Sequence, residues 1–245
     1  ALFAGGYTGW LHDFGSSTGQ LWADTAATIP AAVNDPVKAI TDLSSTATKV
    51  TQGTTGNCAV LRGTPTGANL ITEPPFFATT GWTNGAGWTY TSPTVTAATA
   101  SGSLSNTFAP TVGHTYQIRY RIEVASAGSV AATLGGATGQ TATAVGVICE
   151  WLTATTTAPF VLTASGFTGQ IGAFEVFDVS VGNVKAPYFL TFDGSDDYYS
   201  ASTPINAYPA TLAASATHYG VGVQGMCALW AANNSVKFLN ASGNA

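Results

Sequence analysis

A chain of 245 residues is long enough for one large or two ordinary domains, and 45% hydrophobic residues with 11% aromatics is the composition of a packed chain rather than a disordered one. The net charge is −5 and only 8% of residues are charged, so there is no basic patch to neutralise a phosphate backbone; nucleic-acid binding is not expected. No run of about 18 apolar residues offers a membrane span, and no membrane insertion is expected.

Gly, Ala, Ser and Thr stand where charged residues usually would. A surface of short neutral side chains suits tight repeated protein contacts or a polyhydroxylated ligand, and equally suits a plain neutral sandwich. The three cysteines, Cys58, Cys149 and Cys227, are far apart and lack CxxC spacing. They read as free thiols buried as small hydrophobes, not as a metal site or a disulfide framework.

Residues 1–68 alternate short apolar pieces with Gly, Ser, Asp and Pro. Val37 to Ile40 reads as a strand or a single helical turn, and Pro30 and Pro36 rule out a long helix there. From residue 69 onward the pattern sharpens. An aromatic, turn-rich stretch around Phe76, Trp82, Trp88 and Tyr90 leads into Thr115 to Val124, where Tyr116, Ile118, Tyr120, Ile122 and Val124 alternate with Gln117, Arg119, Arg121 and Glu123. Strict period two marks a half-buried antiparallel strand. Separate strands are expected at Ser129 to Leu134, Thr143 to Trp151, Pro159 to Ala164 and Ile171 to Val181, with Gly-rich turns between them. No window supports a three-turn helix. After residue 182, Val221 to Val223 and Val236 to Leu239 supply two or three more strands.

Two stretches resemble bacteriophage and prophage structural proteins. Asn69 to Ile71, Phe77, Thr80 to Trp82, Gly113 to Tyr116 and Phe177 to Val181 resemble the motifs of jelly-roll, carbohydrate-binding-module-like domains; Pro74-Pro75 stands where Asn-Gly is usual. Gly9, Trp10 and Asp13, then Leu21, Trp22 and Asp24, Asp35-Pro36-Val37, Asp42 with Ser44, Thr51-Gln52 and Arg62 resemble the opening of a concanavalin-like, or laminin-G-like, sandwich. Phe192-Asp193-Gly194 with Asp197-Tyr198 looks like that sandwich resuming, and Ser45-Thr46-Ala47 departs from its pattern. The resemblance implies an all-β chain: residues 1–68 begin an outer laminin-G-like β-sandwich, 69–182 are an inserted jelly-roll β-sandwich, and 183–245 are the second part of the outer one. With 46 residues left after Tyr199, the outer sandwich is expected to be incomplete, completed by a neighbouring subunit, or differently closed.

Glycan sites combine exposed aromatics with amide and carboxylate side chains. The candidates are Trp88 and Tyr90, which share a strand face, Trp82, whose plainer role is core packing, and Asn84 as a polar partner. Asp193, Asp196 and Asp197 form a candidate calcium cluster, with an Asx-type turn capped by Asp193 as the plainer reading. Glu73, Glu123, Glu150 and Glu175 are scattered, as are His12, His114 and His218, and no nucleophile elbow, P-loop or zinc motif is present. The expectation is a non-enzymatic virion protein made in the bacterial host cytoplasm: a tail-fibre, tail-tip or head-fibre adhesin for host cell-surface polysaccharide. The alternatives are a capsid decoration (cement) protein and a glycan-degrading spike. Its expected partners are other virion proteins and copies of itself, a trimeric homo-oligomer by family analogy.

Overall fold

In a computed structural model of the chain, the described residues are 19–41, 49–71, 81–91, 93–192, 228–230 and 235–237. Apart from a single 3-10 turn at Thr55–Asn57, the regular structure among them is β. In chain order the first strands are β1 (Leu21–Trp22), β2 (Ala39–Thr41), β3 (Lys49–Thr51) and β4 (Val60–Pro65). They are followed by β5 (Trp82–Asn84), β6 (Trp88–Thr91), β7 (Thr94–Ala100), β8 (Ser103–Asn106), β9 (Thr115–Leu134), β10 (Ala137–Ala142), β11 (Gly146–Thr153) and β12 (Val161–Asp178). The last are β13 (Val184–Thr191), β14 (Ala228–Trp230) and β15 (Ser235–Lys237). The chain is all-β and divides into two compact units. Pro65–Asn183 form the inner unit, against expected boundaries of 69 and 182; the described residues before and after belong to the outer unit.

In the outer unit β1, β2 and β3 make an antiparallel meander in which Leu21 lies opposite Ile40 and Ile40 opposite Val50. These three side chains are buried with Val37, Ala59 and Leu61, and Tyr188 and Leu190 of β13 pack on the same cluster. Thus Val37 to Ile40 contributes to a strand and not to a helical turn. The turn after β1 is built on Asp24: its Oδ1 accepts the backbone N–H of Thr28 and of Ile29, and its Oδ2 accepts the Thr28 hydroxyl. The Ile29 N–H, with those of Thr28, holds the Asp24 carboxyl down at about 2. Lys49 Nζ donates to the carbonyls of Thr25 and Ala26 across the same turn. β14 and β15 pair antiparallel. Gly9, Trp10, Asp13, Asp42 and Ser44 lie outside the described residues, as do Val221 to Val223.

The inner unit is a sandwich built on two long antiparallel strands, β9 and β12, which run through both of its layers. In the first layer β11 pairs with the start of β9, which pairs with the end of β12, then β7 and β6. In the second layer β10 pairs with the end of β9, which pairs with the start of β12, then β8 and β5. Sequence reading splits β9 and β12 into two strands each, because glycines interrupt them. The structure carries the hydrogen-bonded ladder through those breaks. Gly128 and Gly166 both hold positive φ there, +71° and +61°, a conformation that lets the chain turn a corner without leaving its partner.

The core between the layers contains Leu104, Ile118, Tyr120, Ile122, Phe160, Phe167 and Phe174. Trp82 of the second layer meets Phe174 of the first with ring centroids 5.3 Å apart. The alternation Tyr116, Ile118, Tyr120, Ile122 points into this core as its period dictates. Val124 does not: it is 43% exposed. Ile122 lies opposite Ile171 while Val124 lies opposite Gln170, so Glu123 is an extra residue and the alternation reverses there. β10 is absent from the sequence expectation because Ala137-Thr138-Gly139-Gln140-Thr141-Ala142 carries no large apolar residue to mark a face.

Candidate functional site

The two layers of the inner unit turn very different faces outward. On the second layer the outward positions are Thr83, Ser103, Ser105, Ala131, Thr133, Val161 and Thr163: short hydroxyl and methyl groups with no charge. On the first layer the outward positions of β11, β9 and the end of β12 are aromatic, amide and charged, while Thr89, Thr91, Thr94 and Thr96 occupy those of β6 and β7. The register places Trp151 of β11 opposite Gln117 of β9, and Gln117 opposite Phe177 of β12. The next row along the strands is Cys149, Arg119 and Glu175, and the next Val147, Arg121 and Gly172.

The order of these rows follows from alternation. Ile148, Glu150 and Leu152 point inward on β11, so Cys149 and Trp151 point outward; Phe174 and Val176 point inward on β12, so Glu175 and Phe177 point outward. Trp151 and Phe177 are half-buried, and the Gln117 amide between them is 8% exposed. Gln117 Nε2 donates to Cys149 Sγ at 3.5 Å, which fixes the amide in the row. Burial pushes the Cys149 thiol up to about 12, so it serves as a packed acceptor and not as a nucleophile.

The charges on this face neutralise one another. Arg119 Nη1 lies 3.0 Å from Glu175 Oε2, directly across the ladder, and Arg121 Nε lies 3.2 Å from Glu123 Oε2. Between the Glu175 and Gly172 rows the register of β12 shifts, and Ala173 sits in the shift with φ +53°. A non-glycine residue in the left-handed region stores strain, and bulges of this kind re-aim neighbouring side chains. Here the bulge separates the two guanidinium rows. At the end of the same strands His114 Nδ1 lies 2.8 Å from Asp178 Oδ2. Burial opposes ionisation of Asp178, but hydrogen bonds from His114 and Ser180 outweigh it and hold the carboxyl below its ordinary range.

The structure distributes the four sequence candidates differently. Trp82 and Trp88 are 6% and 5% exposed and belong to the core. Trp88 packs on Phe167 and donates from Nε1 to the Gly102 carbonyl at 2.8 Å, so its ring offers no face to a sugar. Tyr90 shares the inward side of β6 with Trp88 and packs partly buried against the same core. Asn84 is exposed at the end of β5, in the other layer. Asp193, Asp196 and Asp197 lie outside the described residues. Among the described residues, no group of three or more His, Cys, Asp or Glu has the arrangement of a metal site.

Sequence reasoning does not single out Trp151 and Phe177 as candidates. The polar face of β9 is legible from its alternation, but Trp151 and Phe177 join it only through pairings 34 and 60 positions away in the chain. Compared with models of protein families, with curated proteins and with solved structures, the chain matches none.

Proposed function

We propose that this chain is a bacteriophage virion protein, a fibre or adhesin subunit that holds host cell-surface polysaccharide without cleaving it, on the outward face of the first layer of its inner sandwich. The observation that carries the reading is the cross-strand row Trp151–Gln117–Phe177, two aromatic side chains flanking a fixed amide. Aromatic rings take the apolar C–H face of a sugar, and an amide serves its hydroxyls as both donor and acceptor. The Arg119–Glu175 pair in the next row extends the polar recognition, donating and accepting side by side.

A binding role without catalysis is supported by the state of the carboxylates on this face. Glu175 and Glu123 are each held by an arginine, where a glycosidase needs one raised acid and one free carboxylate. In this reading the inner unit corresponds to the jelly roll and the outer unit to the laminin-G-like sandwich. Several copies, three by fibre analogy, supply the avidity a shallow face lacks.

The test is an array of bacterial surface glycans probed with the purified 245-residue chain, with empty capsids as a second target. Binding to a defined glycan class supports the adhesin. Binding to capsids and to no glycan would replace it with the decoration role.

A further inference from the structure

We propose that β10 is a strap across the inner sandwich, which Glu150 holds closed while its carboxyl carries a proton and releases when that proton leaves. The feature is independent of the binding face described above.

Glu150 lies on the inward side of β11, opposite Ile118 and between Ile148 and Leu152, and is 8% exposed. Two residues of β10 are shaped around it. A Cβ at Gly139 would fall on the Glu150 carboxyl group, so a side chain there would have to push that carboxyl aside. Gln140 turns its backbone N–H onto Glu150 Oε2 at 2.7 Å. The β10–β9 ladder shifts register between Thr138 and Thr141, so Gly139 and Gln140 leave the ladder where they meet the carboxyl. A bulge and a glycine on an edge strand thus both lie against one buried acid.

The rest of the surroundings leave the acid short of partners. Oε1 is buried with no hydrogen-bond partner, and so is the hydroxyl of Tyr120, two residues further along the neighbouring strand from Ile118. Tyr120 is the titratable group facing Glu150 from β9, and the Tyr120 hydroxyl is pushed up by burial and by Glu150 itself. β10 carries no titratable side chain. Cys149, Arg119 and Glu175 lie on the opposite side of the sheet. Burial raises the Glu150 carboxyl to about 7, against the smaller opposing effect of the Gln140 N–H.

A neutral carboxyl tolerates a dry Oε1; a carboxylate does not. When the proton passes to solvent, the charged oxygen needs water, and the edge strand that lies against the carboxyl is β10. That strand is six residues long, lies at the edge of its layer, and has an interrupted ladder. Lifting it hydrates the carboxylate while the longer β9–β11 and β9–β12 ladders stay paired.

The test is hydrogen exchange of the 245-residue chain between pH 5 and 8, corrected for intrinsic rates, comparing the amides of 137–142 with those of 116–122. A carboxyl at about 7 when closed and 4.5 when open predicts that opening of β10 rises on the order of 50- to 100-fold across this range, while the reference strand stays constant. In Glu150→Gln the β10 protection is expected to be flat with pH. The proposal is overturned if β10 and the reference strand respond alike, or if the Gln variant keeps the pH dependence. A ¹³C titration of the Glu150 carboxyl in the unaltered chain gives an answer that does not depend on the variant folding. Titration near neutrality, with the loss of β10 protection building up below that point and levelling off above it, supports the strap; titration near 4.5 overturns it.

Discussion

Gly128 of β9 and Gly166 of β12 meet at the corner where both strands pass from one layer of the inner sandwich to the other, and a Cβ on Gly128 would fall on the carbonyl group of Gly166. Both glycines hold positive φ, but Gly166 faces open space where a Cβ would stand. The two positions are therefore unequal. Gly166→Ala carries only the left-handed backbone cost of about 1–2 kcal/mol. Gly128→Ala adds a backbone clash and is expected to cost a further few kcal/mol, or to prevent the corner from forming. Chemical denaturation of the two variants checks the order; equal costs would mean that the corner does not close as described.

Trp88 and Trp151 separate core packing from the proposed binding face. Trp88→Ala empties a core site beside Phe167 and is expected to cost roughly 3–5 kcal/mol. Trp88→Phe keeps most of the volume and loses the hydrogen bond to Gly102, about 1 kcal/mol if water takes the carbonyl and about 1–3 kcal/mol if nothing does. Trp151→Ala, on the outward face, is expected to change stability far less. Thermal unfolding of the three variants reads the ranking directly.

The sequence foretells the strand content and the inward set Tyr116, Ile118, Tyr120 and Ile122, because period-two alternation is a local signal. It misplaces Trp88, whose neighbouring glycines suggest room for a ligand. In the structure Gly87 instead permits a close approach to Ala100, and the indole fills the core. The register joining Trp151, Gln117 and Phe177 depends on long-range pairing and on bulges in β12, neither of which leaves a local pattern. The corner glycines mislead for the opposite reason: they look like strand ends, yet the ladder runs through them.

Glu150 is expected to make the stability of the inner unit fall as pH rises through neutrality. Its folded-state value of about 7 lies above the unfolded 4.5, so its contribution is fully present below about 4.5 and is lost as pH rises through 7. The loss amounts to roughly 3 kcal/mol by pH 8. Asp178 acts in the other direction: held low when folded, its contribution is present above 3.8 and is lost as pH falls through its depressed value. Stability of the inner unit is expected to peak on the mildly acidic side. In Glu150→Gln the decline between pH 5 and 8 disappears, which denaturation at a series of pH values will show.

Ala173 offers a stabilising change. With φ at +53°, Ala173→Gly relieves about 1–2 kcal/mol of backbone strain and loses about 0.4–1 kcal/mol through the freer unfolded chain. A net gain of up to about 1.5 kcal/mol is expected, whereas Ala173→Val is expected to destabilise. A rise in the melting temperature for Gly and a fall for Val is the outcome to look for.

Calorimetric titration with an oligosaccharide identified on the array tests most directly whether the proposed Trp151–Gln117–Phe177 face holds glycan. The variants are Trp151→Ala on that face and Thr163→Ala on the hydroxyl face of the other layer. Affinity reduced at least tenfold by Trp151→Ala and unchanged by Thr163→Ala is the expected result. A folded Trp151→Ala chain that binds as tightly as the unaltered one would contradict it.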